Sequence, residues 1–211
     1  MSERARSGAI LVGLALSAFA LALAPLLMPD SYSWMVNTTS ESAAQGVSGA
    51  WLARFGLGAF GLAVLVIAWS HPSWPPVARS AHIGFGVLMT VTAVASTRPW
   101  VAGISFRVVE DQIHSFAATG MGFAFAIGIL AVVLGERRSG RLIRLSDVIA
   151  IVASVVIPLS MAALPERAGV LQRAMFIVAY FWYAVAAREL TQGFRQSARN
   201  PPRPSPAIPE L

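Results

Sequence analysis

Residues 114–135 read HSFAATGMGFAFAIGILAVVLG, and residues 136–144 read ERRSGRLIR. The first run carries no acidic or basic residue other than His114. It is long enough for the roughly 30 Å hydrocarbon core of a bilayer, which takes about 17–25 helical residues. The second run crowds four arginines, Arg137, Arg138, Arg141 and Arg144, into one short segment. An apolar block that stops at a basic loop reads as a membrane crossing with its basic end in the cytoplasm. The block lacks the period-2 alternation of a barrel strand. Only helices and closed barrels satisfy their backbone in lipid, so this segment is predicted to be a helix.

Five more blocks of this kind lie on either side, at about residues 8–28, 47–69, 81–97, 148–164 and 174–190. The blocks at 81–97 and 148–164 are only just long enough to span. The predicted fold is all-α, a polytopic membrane domain of six transmembrane helices over residues 1–192. Pro158 lies inside the fifth block, where neighbouring helices can cover the freed carbonyl and a local kink is expected. Residues 193–211 contain Asn200-Pro201-Pro202-Arg203-Pro204-Ser205-Pro206 and are predicted to be a disordered cytoplasmic tail. No internal repeat stands out.

Composition agrees. Hydrophobic residues make up 56% of the chain and charged ones 12%, with a mean hydropathy of +0.65, whereas a soluble domain carries about 25% charge. The net charge is +6 and all 16 basic residues are arginine. These arginines sit between apolar blocks, so membrane topology accounts for them and no nucleic-acid partner is implied. Without lysine, Schiff-base chemistry is excluded. Without cysteine, so are disulfides, thiolate metal sites, thiol catalysis and covalently held haem. No cofactor is expected.

Orientation follows from the arginines. Arg4, Arg6, Arg79, Arg137, Arg138, Arg141, Arg144, Arg188, Arg195, Arg199 and Arg203 fall on one side, against Arg54, Arg98, Arg107, Arg167 and Arg173 on the other. Eleven against five puts both termini in the cytoplasm. Ala22-Leu23-Ala24 resembles a signal-peptidase site, but the apolar run is longer than a signal core and is read as an uncleaved helix.

The cytoplasmic loops, with Pro72, Trp74, Pro75 and Pro76 in one and the arginines in another, read as interfacial anchors for anionic lipid. His71 and His82 read as interfacial polar residues. The outer segments are richer in hydrogen-bonding groups. Ser33, Ser40 and Glu41 lie in the first outer loop, Arg54 about two turns into helix two, Glu110, Asp111, His114 and Ser115 at the entry to helix four, and Arg173 at the entry to helix six. Glu110, Asp111 and His114 share a helix face that continues through Ala118, Gly122 and Ala126, a small-residue ladder of the kind that packs against another helix. Arg54 lies above Gly58 and Gly61 and needs a partner, for which Glu41, Glu110, Asp111 and Glu166 are the candidates.

Two readings of this outer set stay open. In one, charge pairs only fasten the loops. In the other, the set forms a polar pocket that binds a lipid headgroup or small solute. One histidine among carboxylates has no recognised metal-site spacing, so no metal site is assigned. Intramembrane hydrolases of the ceramidase and progestin-receptor type gather several histidines on one zinc. Here His71 and His82 lie on the opposite side from His114, so that arrangement cannot assemble.

Tyr32-Ser33, Thr39-Ser40-Glu41, Gln45-Gly46, Ala50-Trp51-Leu52 and Gly56 together resemble the amino-terminal signature of the domain of unknown function 998 family, small six-helix membrane proteins of bacteria and archaea. Asp111, His114-Ser115 and Ala118 resemble the family's entry to helix four. Gly169-Val170-Leu171-Gln172-Arg173, ahead of an aromatic helix with Trp182, resembles its last block. The chain departs at Ser42-Ala43, where the family has Leu-Gly, and at Pro99-Trp100, where a Phe-Pro turn is common. The resemblance implies a six-helix fold, a prokaryotic plasma or inner membrane and this residue set, and it implies no reaction. The expected role is binding or transport, with membrane lipids as partners. A metal-assisted hydrolase or a structural subunit of a membrane complex is the alternative, and any protein partner is left open.

Overall fold

The computed structural model describes residues 3–71, 73–140 and 142–199. Pro72, Arg141 and the proline-rich segment from Asn200 onward lie outside the described residues. Within them there are six long helices and no strands: α1 Glu3–Leu23, α2 Ala50–Ser70, α3 Pro76–Val94, α4 Val108–Arg138, α5 Leu145–Ala163 and α6 Ala168–Arg199. Each is long and apolar enough to cross a membrane. The chain is a multi-pass membrane protein. Short 3-10 turns follow α1 at Ala24–Leu27, open the approach to α2 at Glu41–Ala43 and precede α6 at Pro165–Arg167.

Local chemistry explains where the helix ends differ from the expected blocks. α3 begins at Pro76, five residues before the expected 81, because proline is pre-organised for the first helical turn and Pro75 supplies an extended cap. It ends at Val94, and Ala95 turns extended, so Ser96 and Thr97 belong to the following loop. α4 begins at Val108, which brings Glu110 and Asp111 into its first turn, where the helix dipole favours acids. α6 runs to Arg199, so residues 193–199, expected in the tail, are helical. The first proline pair, Pro201-Pro202, comes only after that point. α5 continues through Pro158.

The helices pack as a ring in chain order, each on the next, with α6 closing back on α1 and α2 reaching across to α6. Two seams are tight. A Cβ on Gly61 would lie 2.5 Å from Thr90 Oγ1 and 2.7 Å from the Gly86 carbonyl, so α2 and α3 touch through their backbones. Ser17 on α1 donates to the Gly56 carbonyl at 2.5 Å and lies 2.5 Å from the Tyr180 hydroxyl. Inside the ring, Phe60, Phe85, Phe125, Tyr180 and Tyr183 form an aromatic core, with Phe60 stacked on Tyr180 at 4.2 Å. Outside it, Phe19, Leu62, Phe116, Phe123 and Leu159 are exposed. So much exposed apolar surface is stable only against lipid.

The two ends of the ring differ. One carries the long connections α1–α2 and α3–α4 with the tight turn into α6, and is called the long-loop end below. The other carries the short α2–α3 and α4–α5 connections and the start of α1, and is called the short-loop end.

Candidate functional site

At the long-loop end most of the expected polar residues converge, and their partners are chiefly backbone groups. Glu41 accepts from Thr38 N at 2.6 Å, from Thr38 Oγ1 at 3.0 Å and from Asn37 Nδ2 at 3.5 Å, which closes a turn within its own loop. Ser33 lends its amide to Asn37 Oδ1 at 2.8 Å. Arg173 on α6 donates to the carbonyls of Trp34, Asn37 and Gly169 and to the Tyr32 hydroxyl at 2.6 Å. Burial raises the Tyr32 phenol above its ordinary pKa, against the opposing pull of Arg173. Next to Arg173, Gln172 Oε1 accepts from Thr39 N at 2.7 Å and Ser40 N at 3.4 Å.

The second loop is tied down the same way. Glu110 accepts from Ser96 N at 3.0 Å, and Asp111 accepts from Thr97 Oγ1 at 3.0 Å and Arg98 N at 2.8 Å. His114 Nδ1 lies 2.8 Å from the Ala95 carbonyl, and its ring is buried, as its place on the inward seam of α4 predicts. Gln45, which sequence reading did not single out as a site residue, bridges the loops by bonding Ser96 O, Arg107 O and Arg107 N.

Two expectations are corrected here. Arg54 is paired with no carboxylate among the described residues. Its Nε and Nη2 donate to the Ala43 and Ala44 carbonyls at 3.0 and 2.9 Å, which the end of the 3-10 turn leaves unpaired. Ser115 faces outward from the ring and does not join the set. Its carbonyl accepts from Thr119 at 2.9 Å.

Below this collar lies a cavity of about 330 Å³, bounded by α2, α3, α4, α5 and α6. Its floor is buried Leu57, Phe60 and Phe125, whereas Thr119, Gly122 and Pro158 on its other side are exposed, so it opens on the flank of the bundle between α4 and α5. Ser40 and Gln172 close its upper end. Of the ladder of Ala118, Gly122 and Ala126, expected to pack against a helix, Ala118 and Gly122 line this space instead. A Cβ on Gly122 would meet nothing within 4 Å. No lining residue is charged.

The short-loop end holds a cluster that sequence reading took for interfacial anchors. Asp147 is 0% exposed; it accepts from Trp182 Nε1 at 2.7 Å and from Arg144 Nε at 3.0 Å. Arg144 also bonds Glu189 and lies 3.5 Å from Glu136. Burial works against the charge on Arg144, but its bonds to Glu189 and Asp147 outweigh that and hold its pKa above the usual value. His71 and His82 belong to the packed interior of the protein at this end. Both are buried, one on each side of Trp74 with ring centroids 4.5 Å away, and His82 Nδ1 lies 2.9 Å from the Tyr183 hydroxyl. A sequence signal existed for the ionic part: Asp147 stands three residues after Arg144 at the start of an apolar block, where an unpaired acid is costly.

Among the described residues, no three or more histidines and carboxylates are grouped so that they could hold a metal ion. A family model described as a protein of unknown function (DUF998) matches residues 11–189. No curated protein and no solved structure matches the chain.

Proposed function

The chain belongs to the DUF998 family, whose members have no assigned reaction, and from that premise we propose that it binds a membrane lipid by seating a hydrocarbon chain in the cavity among α2–α6. The observation that carries this is the cavity itself. At about 330 Å³ it is of small-molecule size, apolar, open sideways to the bilayer, and polar only at scattered hydroxyls and one amide. Four of the chain's seven methionines, Met89, Met121, Met161 and Met175, line it. Methionine is flexible and polarisable, which suits an apolar surface that accepts ligands of varied shape.

In this reading the collar residues Ser33, Glu41, Arg54, Glu110, Asp111, His114 and Arg173 hold the loops over the upper end of the cavity. Their engagement with backbone groups supports a fastening role for them and a binding role for the space beneath. We take the membrane to be the prokaryotic plasma membrane, with both termini cytoplasmic, in keeping with the arginine distribution. Binding serves lipid transport or presentation within that membrane, and no nucleic acid is involved.

Gly122→Phe tests the reading. Its side chain enters open space, so folding should survive while the cavity is filled. Wild-type protein in nanodiscs should be stabilised by added single-chain lipid and should retain lipid through purification, and the variant should lose both at an unchanged ligand-free melting temperature. Equal lipid retention and equal stabilisation in the two proteins would reject the reading.

A further inference from the structure

We infer that the lipid bound in the cavity has an uncharged headgroup that accepts hydrogen bonds, and that Gln172 Nε2 and Ser40 Oγ read it at the upper end. This rests on the lipid-chain reading of the same cavity and adds the chemical class of the ligand.

Thr92 Oγ1 donates to the Met89 carbonyl at 2.8 Å, Thr119 Oγ1 to Ser115 at 2.9 Å and Ser154 Oγ to Ala150 at 2.7 Å. These donors are satisfied within their own helices, as hydroxyls in membrane helices usually are. Two lining groups are not. Gln172 uses Oε1 on the amides of Thr39 and Ser40, which fixes the orientation of its amide, and among the described residues Nε2 donates to no acceptor. Ser40 donates its amide to Gln172 and accepts from Ala43 N at its carbonyl, and its hydroxyl has no partner among the described residues. Both stand at the long-loop end of the cavity, where the headgroup of a chain lying below them would sit.

Charge decides the class. A charged headgroup entering this space would lose water and gain no counter-charge, because no lining residue is ionisable. The nearest charges in sequence are already engaged. Glu41, beside Ser40, takes the Thr38 amide and hydroxyl. Arg173, beside Gln172, turns Nη1 to three carbonyls and Nη2 to the Tyr32 hydroxyl, and it does not line the cavity. A neutral hydroxyl, ester or ketone oxygen satisfies both free donors at no such cost, whereas a ligand lacking an acceptor leaves them unpaired.

The test uses the full chain in nanodiscs and three probes of one chain length: a monoacylglycerol, the fatty acid above its pKa, and the lysophosphatidylcholine. Binding is followed by the shift in melting temperature and scored as the part lost in Gly122→Phe. The monoacylglycerol should bind about ten-fold or more tightly than either charged probe. Gln172→Glu keeps the acceptor for Thr39 and replaces the donating amide with a carboxylate, so it should abolish that preference, and Ser40→Ala should weaken it. If all three probes bind equally, or the fatty acid or phospholipid binds best, the headgroup inference fails while the lipid-chain reading stands. If no probe gives a signal that Gly122→Phe removes, the lipid-chain reading itself fails.

Discussion

His71 sits where a buried histidine meets two arginines, and its protonation follows from that placement. Burial first, then the fields of Arg144 and Arg79, lower it from 6.5 to about 4. Glu189 Oε2 is 3.9 Å from Nε2, beyond hydrogen-bond reach, and that carboxylate is already committed to Arg144. Between the two pKa values the unfolded chain holds a proton on His71 that the folded chain refuses, so stability rises with pH across this window. The contribution is intact above about 6.5 and is lost as pH falls towards 4. Between about pH 7 and about pH 5 the loss amounts to about 2 kcal/mol. His71→Phe keeps the stack on Trp74 and removes the titration, so its melting temperature in detergent should fall less between these pH values than that of the wild type. Equal falls would assign the pH dependence to another group. Residues of this kind are hard to read from sequence. His71 flanks a proline-rich loop, as an interfacial residue would, but in the fold its ring stacks on Trp74 and faces Glu189 of α6. Arg54 shows the same limit: its need for a partner was legible, but whether that partner is a carboxylate or a carbonyl depends on the turn made by Glu41–Ala43.

Among the helices, Gly61 and Gly122 look alike in sequence, each on a small-residue stripe of an apolar helix. The structure separates them. Gly61 packs against the α3 backbone, whereas Gly122 lines the cavity and has open space before it. Gly61→Ala should therefore cost about 1–3 kcal/mol, because neither the Gly86 backbone nor the bonded Thr90 hydroxyl can yield freely. Gly122→Ala should be neutral or stabilising by up to about 1 kcal/mol through helix propensity. Unfolding in mixed micelles measures both, and the reverse order would mean that the tight seam is on α4. Which stripe packs is set by the rotation of each helix against its neighbours, and a single sequence does not carry that. The existence of the helices was legible because crossing a bilayer demands one long apolar run per helix. Their ends were less so, since Pro76, Val108 and Arg199 extend three helices past the hydrophobic blocks, where capping and loop bonding rather than lipid decide the boundary.

At the scale of the whole molecule, the ring of six crossings is what the apolar blocks imply, while the cavity depends on how α4, α5 and α6 meet and left no mark in the pattern beyond its methionines. Orientation is a property of the assembled ring as well. Because α2–α3 and α4–α5 turn at one end and the long loops lie at the other, a single side assignment fixes every segment. The arginine count favours a cytoplasmic short-loop end by eleven to five. Arg144 is drawn into the buried ionic cluster with Asp147 and Glu189, so it is the weakest member of that count. Setting it aside leaves 11 − 1 = 10 against five. The acids beside it do not reverse the bias, since basic residues in short loops dominate topology and carboxylates contribute little. Activity-reporter fusions at Gly140 and after Arg199 should therefore read cytoplasmic, and one inserted between Asn37 and Ser42 should read external. The first-loop fusion is the sharper probe, because that loop carries Asp30 and Glu41 and no arginine, so nothing in it resists export. A cytoplasmic reading there together with an external reading at Gly140 would invert the protein and move the proposed headgroup site to the inner leaflet.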